Sequence, residues 1–224
     1  MADKLTSAEF HEHTDLPDWR VVLGRIEAGF RAPSFDAGAA FIGRVAAAAD
    51  QQGHHPDLDL RYPGYVHVSL TTHATNSLTE ADVALATTIS ALASEAGLTS
   101  EPRDAVGLEV AIDALDIDAV RPFWKAILGY VEEPPRKIGG QVIGLVDPLR
   151  LGPAFWFQQM DAPREQRNRI HLDVSVPHDV AEQRMAEAIA AGGHLVNDSS
   201  ARAFWILADP EGNEACICTW QDRG

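Results

Sequence analysis

The second half of this chain runs twice through one order of predicted elements, a strand, a helix and three short strands, and that repeat restricts the fold to a duplicated unit. In the first pass, residues 106–112 read as a strand, 116–128 as a helix carrying Phe123 and Trp124, and Gly129-Tyr130-Val131 as the next strand entry, with short strands at 141–146 and 154–158. In the second, residues 170–176 read as a strand and 178–191 as a helix stopped by Gly192-Gly193, with short strands at 194–196, 203–207 and 215–219. Two βαβββ units closing around a shared concave sheet are expected over residues 105–224. Upstream, residues 98–104 are polar and contain Pro102, which reads as a linker and leaves residues 1–97 as a separate domain.

That first domain is expected to be α+β, an antiparallel sheet covered by helices, because a short Pro63-Gly64 turn joins its strands while helical patterns flank them. Residues 33–52 read as an amphipathic helix with apolar Phe35, Ala39, Ile42, Val45, Ala46 and Ala49; Pro33 is placed in its first turn and Gly53 at its stop. Residues 65–73 alternate with period two, so Val66, Val68 and Leu70 face a core while His67, Ser69, Thr71 and His73 share the polar face, His73 ending the strand. A second helical pattern covers residues 79–92. His54 and His55 therefore follow a helix end, a fixed point on the scaffold. A helical metal site needs ligands at i and i+4, which adjacent histidines do not supply, so a metal is disfavoured there. Histidine is the side chain best suited to both giving and taking protons near neutral pH, so the readings that remain are a proton-transfer site and a solvated loop with chance histidines.

The spaced set Asp50, His54, His55, Pro56, Tyr62, Val66, Val68, Leu70, Thr72, His73, Leu78, Thr79, Asp82, Leu85 and Ala86 resembles the pterin-4a-carbinolamine dehydratase family over residues 1–97. Trp19 and residues 26–35 are similar to that family's opening strands and helix start. Two departures fall in turns: the interval from Tyr62 to His73 is one residue longer than the family pattern, and Ser77 stands where glycine is usual. The resemblance implies dehydration of a 4a-hydroxytetrahydropterin to the quinonoid dihydropterin, with the hydroxyl protonated as it leaves and a ring N–H proton removed, and no cofactor required. It implies His54, His55 and His73 as the active-site set. His54 and His73 are expected to be the acid/base pair and His55 a substrate contact. Asp82 is expected either to orient a histidine or to serve as an ordinary acidic residue at a helix start. Trp19 is expected either to stack on the pterin or to lie in the core. Asp50, Pro56 and Tyr62 complete the expected substrate-binding set.

Asp116, Phe123-Trp124, Leu128-Gly129-Tyr130, the run Asn168-Arg169-Ile170-His171-Leu172-Asp173 and the run Asp209-Pro210-Glu211-Gly212-Asn213-Glu214 resemble the glyoxalase-like branch of the vicinal oxygen chelate superfamily. That fold hosts lyases, dioxygenases, isomerases and resistance proteins, so the resemblance implies the fold and leaves function open. Metal ligands carried over by position are Glu109 and His171, each on the first strand of its unit. Cys216 stands where the last strand usually has glutamate, with Trp156 or Gln158 at the corresponding place in the first unit. Glu214 is expected on the opposite side from Cys216. With a thiol at Cys216 in place of the expected carboxylate, this mixed set loses one hard ligand, so no tightly held divalent metal is expected, zinc being the exception that Glu, His and Cys would suit.

Charge narrows the partners. Lys and Arg number 18 against 33 acidic residues, and the net charge of −15 disfavours nucleic acid and anionic membranes. No apolar run approaches the roughly 20 residues that span a bilayer, and the polar, acidic start is unlike a secretory signal, so a cytoplasmic protein is expected. Cys216 and Cys218 are the only cysteines and make no disulfide framework. The leading expectation is a pterin dehydratase, acting as a homo-oligomer such as a dimer, fused to a glyoxalase-like domain. The alternatives are a metal-dependent lyase seated in the second half, with the first half serving assembly, and a small-molecule-binding protein of the resistance type.

Overall fold

The computed structural model describes residues 4–12, 16–133, 136–137, 141–163, 172–219 and 221–222. Two compact units divide the chain, residues 1–107 and 108–224. No helix among the described residues is long and apolar enough to cross a membrane.

The first unit runs β1 (Lys4–Leu5), α1 (Ser7–Glu12), β2 (Arg20–Val22), β3 (Arg25–Arg31), α2 (Phe35–Gln52), β4 (Asp57–Arg61), β5 (Tyr65–Leu70), β6 (Leu78–Thr79), α3 (Glu80–Glu95) and β7 (Thr99–Ser100). Its main sheet has the order β2-β3-β5-β4, antiparallel throughout. Of the alternation expected for residues 65–73, the core face is realised: Val66, Val68 and Leu70 are fully buried and, with Ile26, Ala28 and Phe30 of β3, meet Phe41, Val45 and Ala49 of α2 and Leu85, Ile89 and Ala93 of α3, whereas Ser69 and Thr71, expected on the polar face, are buried as well. Phe30 and Phe41 meet edge to face at 5.6 Å, the geometry that ring quadrupoles favour.

Three sequence expectations for this unit need correction. Helix α2 begins one turn element later than expected: Ser34 is its N-cap, accepting from Ala37 N at 3.1 Å, and Pro33 precedes the cap. Its buried face is also rotated, since Gly38, Phe41, Val45 and Ala49 are buried whereas Ala39 and Ala46 are exposed and Phe35 is 51% exposed. Alanine and glycine carry little patterning signal, so the bulky Phe41 decides the face. The segment expected as a linker, residues 98–104, instead contributes β7, which pairs with Phe30 and Arg31, while Leu98 packs on the core. Its backbone completes the free edge of β3, where polar side chains do not oppose pairing. Gly64, in the β4–β5 turn, lies so close to the start of α2 that a Cβ there would sit 2.7 Å from Ser34 O, which explains glycine after Pro63.

The second unit runs β8 (Glu109–Ala114), α4 (Ile117–Leu128), β9 (Val131–Glu132), β10 (Arg136–Lys137), β11 (Gln141–Val142), β12 (Leu145–Val146), β13 (Ala154–Gln159), β14 (Leu172–Ser175), α5 (Ala181–Ala190), β15 (His194–Asn197), β16 (Phe204–Ala208) and β17 (Glu214–Cys218). Strands β10 and β11 form a separate hairpin. The other strands make two four-stranded sheets, β8-β13-β12-β9 and β14-β17-β16-β15. In each, the first strand of the repeat pairs in parallel with the last, and the remaining neighbours are antiparallel. The identical order is the expected duplication. Asp116 caps α4 by accepting from Ala119 N at 3.1 Å, and Gly129 ends it in the left-handed region. Helix α5 starts later than residue 178 because Val180 N bonds Pro177 O in a turn that precedes it.

One apolar cluster joins both repeats, Phe123, Trp124, Phe155 and Phe157 of the first with Ala188, Leu207, Ala215 and Ile217 of the second. Two polar links cross it. The Trp124 indole N–H donates to the fully buried Asp209 carboxylate at 3.0 Å, and Glu211 accepts from Leu115 N at 2.9 Å and Asp116 N at 2.6 Å at the start of α4. The Asp-Pro-Glu-Gly-Asn run therefore fastens the second repeat to the helix of the first.

Candidate functional site

Helix α2 ends in a way that leaves His54 no freedom at its backbone. Gly53 adopts φ 61°, its N–H donates to Asp50 O at 3.3 Å, and His54 N donates to Ala49 O at 3.1 Å, so the chain is tied back onto the last helical turn. The ring then reaches across to α3. His54 Nε2 lies 2.8 Å from Asp82 Oδ1, with the His54 side chain 12% exposed and Asp82 0% exposed.

Asp82 is in that position because Thr79-x-x-Asp82 forms a capping box at the start of α3. Its Oδ2 accepts from Thr79 N at 2.8 Å and from Thr72 Oγ1 at 2.7 Å, and Thr79 Oγ1 is 3.2 Å away. A carboxylate wholly out of water needs compensating donors, and these two plus the His54 N–H supply them. Asp82 is thus the acidic residue expected at a helix start and also a hydrogen-bond partner of His54. In the tautomer that carries its proton on Nε2, His54 donates to Asp82 Oδ1, and Nδ1 is the other ring nitrogen.

The other expected residues are placed more loosely. His55 Nε2 lies 3.0 Å from Asp50 Oδ1, and both side chains are exposed, so that pair adds little to stability. His73 does not end a strand. Strand β5 stops at Leu70, Thr72 bridges to Ser77, and His73 is an exposed residue of the turn between them. Thr72 N donates to Ser77 O at 3.1 Å to close that turn, and Ser77 Oγ donates to Thr75 Oγ1 at 2.8 Å, a bond that glycine there would lack. Pro56 is half-buried and Tyr62 is 89% exposed. Trp19 is core: it is 1% exposed, its indole N–H donates to Ser90 Oγ at 3.0 Å and Phe30 meets it edge-on at 6.5 Å, so its ring has no open face for a ligand.

Thr72 and Thr79, members of the spaced set with no role expected of them, are the other partners of the Asp82 carboxylate, and the Thr79-x-x-Asp82 spacing is the sequence signal for one of them. His67 belongs to a different place, the polar face of the sheet, with Nε2 3.6 Å from Glu27 and Nδ1 4.0 Å from Asp59.

In the second unit Glu109 is exposed at the start of β8, Trp156 half-buried and Gln158 exposed on β13, and His171 lies outside the described residues. Cys216 is buried opposite Asp173 in the parallel pair β14–β17. Burial, and then a hydrogen bond to Asp173, push its thiol up to about 12. Glu214 precedes Cys216 by two residues in a regular strand and shares its face, contrary to expectation, since strand side chains alternate. Among the described residues no three His, Cys, Asp or Glu side chains are grouped to hold a metal ion. A thiol at Cys216 does not supply the hard oxygen ligand expected on that strand.

Residues 3–92 match the family described as Pterin 4 alpha carbinolamine dehydratase, and residues 109–218 match one described as Glyoxalase-like domain. A protein of Chloroflexus aurantiacus, named provisionally as a pterin-4-alpha-carbinolamine dehydratase, is 44% identical over 87 residues, covering 38% of this chain and 92% of the relative. Among solved structures, a transcriptional coactivator/pterin dehydratase from Brucella melitensis is 30% identical with a TM-score of 0.38, covering 41% of this chain and 99% of that one. A glyoxalase/bleomycin resistance protein/dioxygenase family enzyme from Burkholderia phytofirmans is 20% identical with a TM-score of 0.39, covering 50% of this chain and 95% of that one.

Proposed function

The chain belongs to the pterin 4 alpha carbinolamine dehydratase family through its first unit and carries a glyoxalase-like domain in its second, and from that premise we propose that the first unit dehydrates a 4a-hydroxytetrahydropterin. The C4a–O bond breaks as a proton is delivered to the leaving hydroxyl, and a ring N–H proton is taken up, giving water and the quinonoid dihydropterin with no net proton change. His54 and His73 form the acid/base pair, and His55 binds substrate.

One observation carries the reading: the His54 ring is held through Nε2 by a buried carboxylate, which leaves Nδ1 free to exchange a proton. An imidazole oriented in this way suits general acid/base catalysis near neutral pH. The exposed His55, tethered to an equally exposed Asp50, suits a group that meets substrate without being oriented for transfer.

Dehydration by the purified chain tests the proposal. His54→Ala and His73→Ala are expected to lower turnover by about 10²-fold or more, the range for a lost general acid or base. His55→Ala is expected to raise KM. A larger fall in turnover at saturating substrate in His55→Ala than in the other two would reverse the allocation.

For the second unit we propose a role without a tightly held catalytic metal. The buried thiol of Cys216, standing where a carboxylate is expected, supports it. Stoichiometric zinc that survives dialysis and disappears in Cys216→Ser would overturn it.

A further inference from the structure

We infer that Thr72 is a positioning residue for the proposed reaction, holding Asp82 so that His54 presents Nδ1 and at the same time anchoring the turn that carries His73. This inference rests on the dehydratase reading and deepens it. Asp82 has two oxygens, and rotation about its Cβ–Cγ bond is intrinsically loose. Something must decide which oxygen faces His54.

Thr72 Oγ1 donates to Asp82 Oδ2 at 2.7 Å, and Thr79 N donates to the same oxygen at 2.8 Å, so Oδ2 is occupied and Oδ1 is left for His54 Nε2. Thr72 is itself held, since its Oγ1 lies 2.7 Å from Thr79 Oγ1. With its proton given to Asp82, it accepts from the Thr79 hydroxyl, while Thr79 Oγ1 accepts from Ala81 N at 3.3 Å. Each hydroxyl then has both a donor and an acceptor role filled.

The backbone of Thr72 does a second job. It bridges to Ser77 and closes the turn over residues 73–76. The residue that orients the carboxylate behind His54 is thus covalently next to His73. Asp82 is 28 residues from His54 and 10 from Thr72 in the chain, so this link is tertiary and ties the two histidine-bearing segments to one carboxylate.

The test compares Thr72→Val, which keeps the β-branched shape and removes the hydroxyl, with Thr72→Ser, which keeps the hydroxyl. In the wild-type chain, ¹⁵N NMR of His54 is expected to show the proton on Nε2; the opposite tautomer would overturn the inference whatever the activity. Thr72→Val is expected to lower kcat about 10- to 100-fold, in line with the cost of a misplaced catalytic group. KM is expected to stay within about twofold, and the His54 spectrum to become a mixture of tautomers. Thr72→Ser is expected to restore both. A Thr72→Val variant that keeps kcat and the wild-type His54 spectrum, or a folded Thr72→Ser variant that restores neither, would also overturn it. Should Thr72→Val fail to fold, the wild-type tautomer and the Thr72→Ser kinetics still decide. A wild-type chain without dehydratase activity sinks the dehydratase reading alone, and the NMR arms then judge the positioning role separately.

Discussion

At the scale of single residues, the partners of a buried group decide what it does. Asp82 has three donors and acts as a fixed anchor for His54. Burial disfavours the Cys216 thiolate, and the neighbouring Asp173 adds to the cost of ionising it, so the thiol is pushed up to about 12. A thiol raised in this way stabilises the fold below its unfolded pKa near 9, and that contribution is lost as pH climbs toward 12. Two outcomes are expected. Native Cys216 should resist iodoacetamide at pH 8 while the denatured chain reacts, as followed by mass spectrometry. The stability of the wild-type chain should fall more steeply between about pH 9 and 11 than that of Cys216→Ser. Rapid native alkylation at Cys216 would show that the thiol is neither buried nor raised.

At the scale of elements, the same local chemistry that ends helices also places the site. Gly53 stops α2 and delivers His54; the capping box starts α3 and delivers Asp82. In the second unit the turn before β17 serves α4 instead, through Trp124 and Asp209. Asp209 also accepts from Glu211 N, Asn213 N and Asn213 Nδ2 at 2.9, 2.9 and 2.8 Å, so the turn and the helix share one carboxylate. Trp124→Phe keeps the ring packing and removes the indole donor, and is expected to cost about 1–2 kcal/mol in a denaturant titration of the second unit's transition. A loss below about 0.5 kcal/mol would mean that water or a neighbour replaces the bond. Dehydration should be unaffected by that change.

At the scale of the whole molecule, the two units divide the candidate chemistry. All residues assigned to dehydration fall within residues 1–107, and Glu109 and Cys216 fall within residues 108–224. Glu109→Gln and Cys216→Ser are therefore expected to leave kcat and KM for dehydration within about twofold of the wild-type values. A tenfold loss in either would mean that the second unit takes part in the reaction. What could be read from sequence was whatever repeats or terminates locally: the alternation of Val66, Val68 and Leu70, the stops at Gly53 and Gly129, and the duplicated element order, since backbone hydrogen bonding and side-chain periodicity act over a few residues. The partners of those elements were decided only in three dimensions. Nothing local says that residues 99–100 will join β3, that Trp19 will be covered on every side, or that Thr72 and His54 will meet at one carboxylate, because burial and pairing between segments far apart in the chain depend on how the sheets and helices pack. In this protein the histidines beside the helix end were legible from the chain itself, whereas the buried carboxylate that His54 meets is brought to it only by the tertiary packing.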